Sequence, residues 1–171
     1  SPEKKAEIAE LLGISVKQEE PTVAIVKCNG GANAPEAFEY CGNPTCAACN
    51  TLYGGNKLCK SGCLGCGDCA RVCPENAIKI VDGVAQVIPE KCTSCGACIV
   101  TCPKHMIERI PVKAPVYVAC SSHLKGKEVM QQCKVGCIAC GICAKNCPHG
   151  AITMADGLPV FDYTKCTGCM T

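Results

Sequence analysis

Two short segments of the chain each place four cysteines within eleven residues and end in proline. The first reads CLGCGDCARVCP over residues 63–74, and the second reads CTSCGACIVTCP over residues 92–103. Each segment therefore delivers several thiols from one short loop, which is the arrangement that a metal cluster held by thiolates needs. No other feature limits the fold as strongly, because the loop has to wrap around the group that its thiolates bind.

Disulfide bonds or zinc binding can also account for a large number of cysteines. The chain has 21 cysteines in 171 residues and no tryptophan, a composition that also occurs in secreted disulfide scaffolds. Disulfide partners meet pairwise and do not need tight runs, and an odd number of cysteines leaves one thiol unpaired. Zinc prefers two separated Cys-x2-Cys pairs to triplets followed by Cys-Pro. The spacing therefore favours iron–sulfur clusters over both alternatives.

Paired runs of this kind are typical of bacterial-type ferredoxins that carry two [4Fe-4S] clusters. The first three cysteines of a run bind one cluster, and the fourth crosses over to the other cluster. The predicted ligands of cluster one are Cys63, Cys66, Cys69 and Cys102. The predicted ligands of cluster two are Cys73, Cys92, Cys95 and Cys98. Between the runs, Asp82-Gly83 separates two apolar segments at 77–80 and 84–88, which predicts a β-hairpin.

The same pattern recurs 74 residues further along the chain, where KLCKSGCLGCGDCARVCPENAI aligns with QQCKVGCIACGICAKNCPHGAI. A duplicated module is the simplest interpretation. The repeat predicts cluster three with Cys137, Cys140 and Cys143, and cluster four with Cys147, Cys166 and Cys169. The sequence stops before counterparts of Cys98 and Cys102, so we expect the missing ligands in a longer protein. Alternatively, the second module ends early and binds one incomplete cluster.

Seven cysteines remain outside these four sets. They are Cys28, Cys41, Cys46, Cys49, Cys59, Cys120 and Cys133. Thiolates are soft ligands that suit iron–sulfur clusters, so we expect one or two clusters beyond the four of the complete modules. The candidate ligands of this additional cluster are Cys28, Cys46, Cys59, Cys120 and Cys133, with or without Cys41 and Cys49. Buried structural thiols are the alternative, and the plant-type [2Fe-2S] spacing at 41–49 lies in a segment that does not match that fold.

The predicted fold class is α+β, with tandem bacterial-type 2[4Fe-4S] ferredoxin-like modules behind a loop-rich, cysteine-containing N-terminal segment. The predicted divisions are a helix and linker (1–20), the loop-rich segment (21–62), the first module (63–112), a connector (113–136) and the second module (137–171). No apolar stretch approaches the 18 or more residues of a membrane span. Any membrane contact is therefore expected to come from missing segments or from partners.

The chain contains no nucleophile–base pair, phosphate loop or dinucleotide fingerprint. We therefore expect no catalytic residues beyond the clusters, and no nucleic-acid partner. Each cubane exchanges one electron with little rearrangement. A row of such clusters without a substrate pocket predicts an electron relay.

Nearly the whole chain resembles the long-form B subunit of the Rnf complex, an ion-translocating ferredoxin:NAD oxidoreductase. The resemblance rests on VAIVKCNGG, GGNKLCKSGCLGCGDCARVCP, KCTSCGACIVTCPK, VYVACSSHLKGK, and CKVGCIACGICAKNCP followed by FDYTKCTGC. It implies a protein on the cytoplasmic face of the cell membrane that takes electrons from reduced ferredoxin. It also implies partner subunits in a membrane complex that couples electron flow to sodium or proton translocation. Some relatives have an apolar residue where Cys66 stands, and Cys59 is then the implied substitute ligand.

Two other functions remain open from the residues alone. One is a polyferredoxin-type electron-input subunit of a soluble oxidoreductase, of the heterodisulfide reductase or hydrogenase type. The other is a structural or redox-sensing metal protein in which metal binding orders the fold. A membrane helix in the missing N-terminal sequence would favour the membrane complex, and reversible low-potential EPR signals would argue against a structural metal protein.

Overall fold

The computed structural model describes residues 20–169. The helix predicted to begin at Ser1 lies outside the described residues. Within that range the strands form three two-stranded antiparallel sheets, connected by loops and by short helices. None of the helices described there has the length and apolarity that crossing a bilayer requires.

The elements of the described chain are short strands, short α-helices and single turns of 3-10 helix. The strands are β1 (Thr22–Val26), β2 (Ile78–Val81), β3 (Val84–Val87), β4 (Ile107–Pro111), β5 (Ile152–Ala155) and β6 (Leu158–Phe161). The α-helices are α1 (Cys46–Thr51), α2 (Asp68–Arg71), α3 (Ala97–Thr101), α4 (Lys127–Gln132) and α5 (Ile142–Asn146). Single turns of 3-10 helix lie at Gly31–Asn33 and Pro89–Lys91.

The helices are short because cysteine loops interrupt them. Each has four to six residues, which is too short to be stable without tertiary packing. Gly67 and Gly96 directly precede α2 and α3 with φ of 83° and 87°. Only glycine adopts this left-handed geometry readily, and the turn lets each loop of cysteines lead straight into a helix.

The predicted hairpin between the two cysteine runs is confirmed. Strands β2 and β3 pair antiparallel from Ile78↔Val87 to Val81↔Val84. At the turn, Asp82 and Gly83 have φ of 49° and 75°, which suits a two-residue hairpin whose twist matches that of its strands.

Strand β1 ties the loop-rich N-terminal segment to the first module. It pairs antiparallel with β4, from Thr22↔Pro111 to Val26↔Ile107, although about 80 residues separate the two strands. The buried side chains of Ala24 and Val26 join a core that also contains Ile107. The division predicted between residues 62 and 63 stays a prediction, and one sheet crosses it.

Cysteines belong to this core. Cys63, Cys69 and Cys98 are buried in it beside Ile78 and Val84. Since the thiols replace the large apolar side chains that usually fill a core, ligation of these cysteines contributes directly to folding.

The second module repeats the first at the level of individual hydrogen bonds. The Ala77 amide donates to the sulfur of Cys73, and the Ala151 amide donates to the sulfur of Cys147, both at 3.3 Å. Strands β5 and β6 form the matching hairpin. In the described part of the chain, however, no further strand pair accompanies this hairpin as β1 and β4 accompany the first one.

Candidate iron–sulfur sites

Three pockets in the described part of the chain are each lined by four cysteines. The three are similar in size, and each is partly open to solvent. The first is lined by Cys46, Cys63, Cys69 and Cys102. The second is lined by Cys28, Cys59, Cys120 and Cys133. The third is lined by Cys73, Cys92, Cys95 and Cys98.

The third pocket contains the whole ligand set predicted for cluster two. Cys92, Cys95 and Cys98 come from the second run, and Cys73 crosses from the first run. Burial raises the pKa of the Cys98 thiol, and so do the neighbouring thiols of Cys92, Cys95 and Cys73. The unligated thiol therefore holds its proton, which it loses when it binds a metal.

The first pocket differs from the prediction for cluster one in one residue. It contains Cys63, Cys69 and Cys102 as predicted, but the fourth cysteine in its lining is Cys46. Burial raises the pKa of Cys69 to about 12, and the thiols of Cys63, Cys46 and Cys102 add to the effect in that order. The three thiols that raise the pKa of Cys69 are thus the three other cysteines that line the pocket.

Cys66 is absent from the lining of the first pocket. Its sulfur lies 3.8 Å from the carbonyl oxygen of Leu64. Burial, followed by the thiols of Cys46 and Cys49, raises the pKa of Cys66 to about 12. Cys66 therefore lies beside the ligand pocket, next to one of its members.

Helix α1 is docked in a way that places Cys46 in this pocket. The hydroxyl of Thr45 caps the helix by accepting a hydrogen bond from the Ala48 amide at 3.1 Å. The carboxylate of Asp68 accepts another from the Ala47 amide at 3.1 Å. Asp68 is buried, forms an ion pair with Arg71, and begins α2, so it joins the start of α1 to the first cysteine run.

The second pocket gathers four of the five candidate ligands of the additional cluster. Burial raises the pKa of Cys59, and the next contributions of that sign come from the thiols of Cys133, Cys28 and Cys120. The fifth candidate, Cys46, lies in the first pocket instead. Cys59 itself, the implied substitute for Cys66, lies in the second pocket and is not in the lining of the first.

The remaining cysteines of the loop-rich segment lie apart from these quartets. Cys41 is exposed. Cys49 is buried, with its sulfur 3.6 Å from the side-chain oxygen of Asn56.

The predicted ligands of clusters three and four have a more open setting. Cys140, Cys143 and Cys169 are exposed, whereas Cys137 and Cys166 are half-buried. The repeat of the loop and hairpin geometry supports the same local fold around these thiols. Their assignment to two clusters stays a prediction.

A single metal ion and a cubane require different spacings of their ligands. No group of three or more Cys, His, Asp or Glu side chains within residues 20–169 is arranged to hold one metal ion. Thiolates on one tetrahedral zinc lie about 2.3 Å from the metal and hence about 4 Å from each other. A cubane separates its ligands more widely, and backbone amides that point at the sulfurs are the usual outer support of such sites.

Comparison with protein families agrees with this chemistry. A 4Fe-4S dicluster domain matches residues 62–106, and a 4Fe-4S binding domain matches residues 136–153. The chain is thus an α+β protein with two ferredoxin-like domains that bind [4Fe-4S] clusters. The second pocket draws Cys28, Cys59, Cys120 and Cys133 from outside both matched ranges.

Curated relatives match almost the whole chain. The B subunit of the ion-translocating oxidoreductase complex of Methanosarcina acetivorans is 39% identical over 95% of the chain and 62% of its own length. The B subunit of the proton-translocating ferredoxin:NAD(+) oxidoreductase complex of Clostridium ljungdahlii is 43% identical over 95% and 58%. The B subunit of the Na(+)-translocating ferredoxin:NAD(+) oxidoreductase complex of Acetobacterium woodii is 42% identical over 96% and 50%. The chain therefore spans about half to three fifths of the length of these relatives.

Proposed function

The chain is related along nearly its whole length to the B subunits of ion-translocating ferredoxin:NAD(+) oxidoreductase complexes, and we propose that it forms the electron-relay part of such a protein. The observation that carries the proposal is the series of cysteine quartets, since each suits a [4Fe-4S] cluster and none adjoins a catalytic constellation. A bound cluster supplies reversible one-electron chemistry. The activity then belongs to the complex, and this chain contributes redox centres alone.

The chain's own residues provide thiolates, hydrogen bonds and shielding from water. Amide groups point at ligand sulfurs, as Ala77 does at Cys73 and Ala151 at Cys147. Donors of this kind stabilise the negative charge that a thiolate-bound cluster carries and thereby tune its potential. Core residues such as Val26 and Ile107 line the first pocket and lower its solvent access.

The proposed ligand sets follow the cysteine runs. Cluster two is held by Cys73, Cys92, Cys95 and Cys98. Cluster three uses Cys137, Cys140 and Cys143, and cluster four uses Cys147, Cys166 and Cys169, each with a further ligand. Cluster one uses Cys63, Cys69 and Cys102 together with one more thiol.

The names of the relatives support the proposed partners. The donor is reduced ferredoxin, and other subunits of a membrane complex receive the electrons. The proposed location is the cytoplasmic face of the membrane, and the coupled ion is sodium or a proton. Membrane contact comes through partners or through parts of the protein outside this chain.

Reduction by ferredoxin tests the relay. The protein is reconstituted anaerobically and mixed with a bacterial-type ferredoxin that has been reduced beforehand. We expect the cluster absorption to bleach and EPR signals of reduced [4Fe-4S] clusters to appear, whereas oxidised ferredoxin, as the control, produces neither. Clusters that respond to a strong chemical reductant but not to reduced ferredoxin would contradict the proposed donor.

Purification from native membranes tests the assembly. The full-length protein is expected to remain with the membrane fraction and to copurify, in detergent, with membrane-spanning subunits. Recovery in the soluble fraction with a heterodisulfide reductase or hydrogenase would instead support the soluble oxidoreductase.

A further inference from the structure

We propose that Cys28, Cys59, Cys120 and Cys133 hold an additional [4Fe-4S] cluster that connects the two ferredoxin-like modules. This inference adds a centre to the proposed relay and depends on the relay only for the direction of electron flow. The site itself follows from the geometry of the quartet.

The four cysteines converge from four separate segments. Cys28 follows β1, Cys59 precedes the first cysteine run, Cys120 lies in the connector and Cys133 directly follows α4. Cys59 and Cys133 are buried against each other and against Ala34. Because these cysteines are distant in sequence, only the fold brings them into one pocket. Cysteines that serve merely as buried structural thiols have no need to meet in this way.

Small residues leave room between the thiols. A Cβ atom on Gly30 would lie 3.4 Å from the sulfur of Cys133 and 3.6 Å from that of Cys28. A Cβ atom on Gly62 would lie 3.5 Å from the sulfur of Cys59. These two glycines therefore keep side-chain atoms out of the space beside the thiols.

Two backbone amides point at the sulfur of Cys28. The sulfur of Cys28 accepts hydrogen bonds from the amides of Gly30 at 3.4 Å and Cys63 at 3.3 Å. Such donors accompany thiolate ligands of iron–sulfur clusters.

The pocket lies between the two modules. Its Cys28 accepts the amide hydrogen of Cys63, which lines the first pocket. On the other side, Cys133 is four residues from Cys137 in the second module. A cluster held here joins the two modules in one path along which single electrons pass from a reduced donor to an oxidised acceptor, with no bond formed or broken.

Single substitutions in the full-length protein test the site. In Cys28→Ala and in Cys120→Ala we expect a loss of about four iron and four acid-labile sulfide per chain, with the spectra of the other clusters retained. Cys41→Ala is the matched control, because Cys41 is exposed and outside every quartet. Unchanged iron in Cys120→Ala would overturn the proposal, as would one zinc per chain in place of the four iron.

A folding defect can be told apart from loss of one cluster. Cys120 lies in the connector outside both matched domains, so its substitution leaves both cysteine runs intact. Loss of much more than four iron in both Cys28→Ala and Cys120→Ala would overturn a dedicated cluster. These iron counts do not depend on reduced ferredoxin, so failure of the proposed donor leaves this test unaffected.

A second inference rests on the lining of the first pocket, where the geometry points to Cys46 as the fourth ligand of cluster one. Asp68 fixes the start of α1 through the Ala47 amide, and Cys46 lines the same pocket as Cys69 and Cys102. Cys66, the ligand expected from spacing, lies outside the lining.

Paired substitutions decide between the two thiols. We expect Cys46→Ala to lose about four iron per chain together with the EPR signal of cluster one. In Cys66→Ala both are expected to stay unchanged, and Cys49→Ala serves as a control in the same helix as Cys46. The reverse result, with iron lost from Cys66→Ala and kept in Cys46→Ala, would overturn the assignment.

Discussion

The two ferredoxin-like modules share their local geometry and differ in what covers them. Asp82 and Asp156 at the hairpin turns have φ of 49° and 47°, and the same amide contacts support Cys73 and Cys147. Yet Cys69 is 7% exposed, whereas its counterpart Cys143 is exposed. The cysteine run therefore determines the loop, and distant segments determine its burial.

Strands β1 and β4 and helix α1 provide that cover in the first module. They place Ala24, Val26 and Ile107 around its thiols, and α1 adds Cys46 to the pocket. Solvent exposure is one of the factors that set the potential of an iron–sulfur cluster. The two modules should therefore hold clusters of different potential although their ligand loops are alike.

The largest expected difference between the modules comes from substituting equivalent cluster ligands in each of them. Cys95→Ala should lose cluster two and, because its thiol belongs to a quartet that supports the core, destabilise the first module by about 2 kcal/mol or more. For a domain of this size, that corresponds to a fall in Tm of about 8–16 °C. Iron analysis and anaerobic thermal unfolding measure both effects.

The repeat supplies the control for this substitution. Cys169 aligns with Cys95, and Cys169→Ala should leave the unfolding of the first module unchanged. Equal destabilisation of that module by both variants, or unchanged iron content in Cys95→Ala, would contradict the account.

The two modules also differ in what supports their hairpin turns, because a buried lysine supports the turn of the first module. The Lys57 ammonium donates to the carbonyl oxygens of Gly31 at 3.3 Å and Gly83 at 3.1 Å. Lys57→Met leaves both acceptors without this donor, which should cost about 1–3 kcal/mol of unfolding free energy. In the second module the turn is held by the exposed His123, whose Nδ1 lies 2.7 Å from the Asp156 carbonyl oxygen.

His123→Ala is the matched control and should cost less than about 0.5 kcal/mol, as most surface substitutions do. Anaerobic thermal unfolding of the two variants gives the comparison. An effect of His123→Ala as large as that of Lys57→Met would mean that the two turns are supported equally.

A smaller effect is expected from the strand that covers the first module. Val26 is 5% exposed in β1 and lines the first pocket. Val26→Ala should cost about 1–2 kcal/mol through lost burial and the small cavity that remains. Val160→Ala, at a half-exposed position of β6, should have almost no effect on Tm, and a shift equal to that of Val26→Ala would argue against burial as the difference.

Local sequence predicted the parts of the fold that depend on neighbouring residues. The Asp82-Gly83 hairpin follows from a short signal, and it is found in the structure. The ligand set of cluster two also follows from spacing, and its members meet in one pocket. The hairpin residues are close in sequence, and the contact of Cys73 with the second run follows from the known crossover pattern of such ferredoxins.

The remaining features depend on distant contacts. The apolar residues 23–26 do not indicate that the partner strand of β1 is β4. From the sequence, Cys46 is predicted among the ligands of the additional cluster, whereas the Asp68 contact brings it to the first run. The sequence shows Asp68 inside the first cysteine run, which is the one signal for this contact. The sequence does not show that the partner of Asp68 is the Ala47 amide, because the fold brings the two together.

Iron and acid-labile sulfide, measured anaerobically on the full-length protein and on its Cys63→Ala/Cys95→Ala/Cys120→Ala variant, test the central claim most directly. Each substitution removes one thiol from a different quartet. Three separate clusters predict a loss of about twelve iron and twelve sulfide per chain, at four of each per cluster. A loss of about eight or fewer, or iron lost without sulfide, would contradict the three-quartet relay.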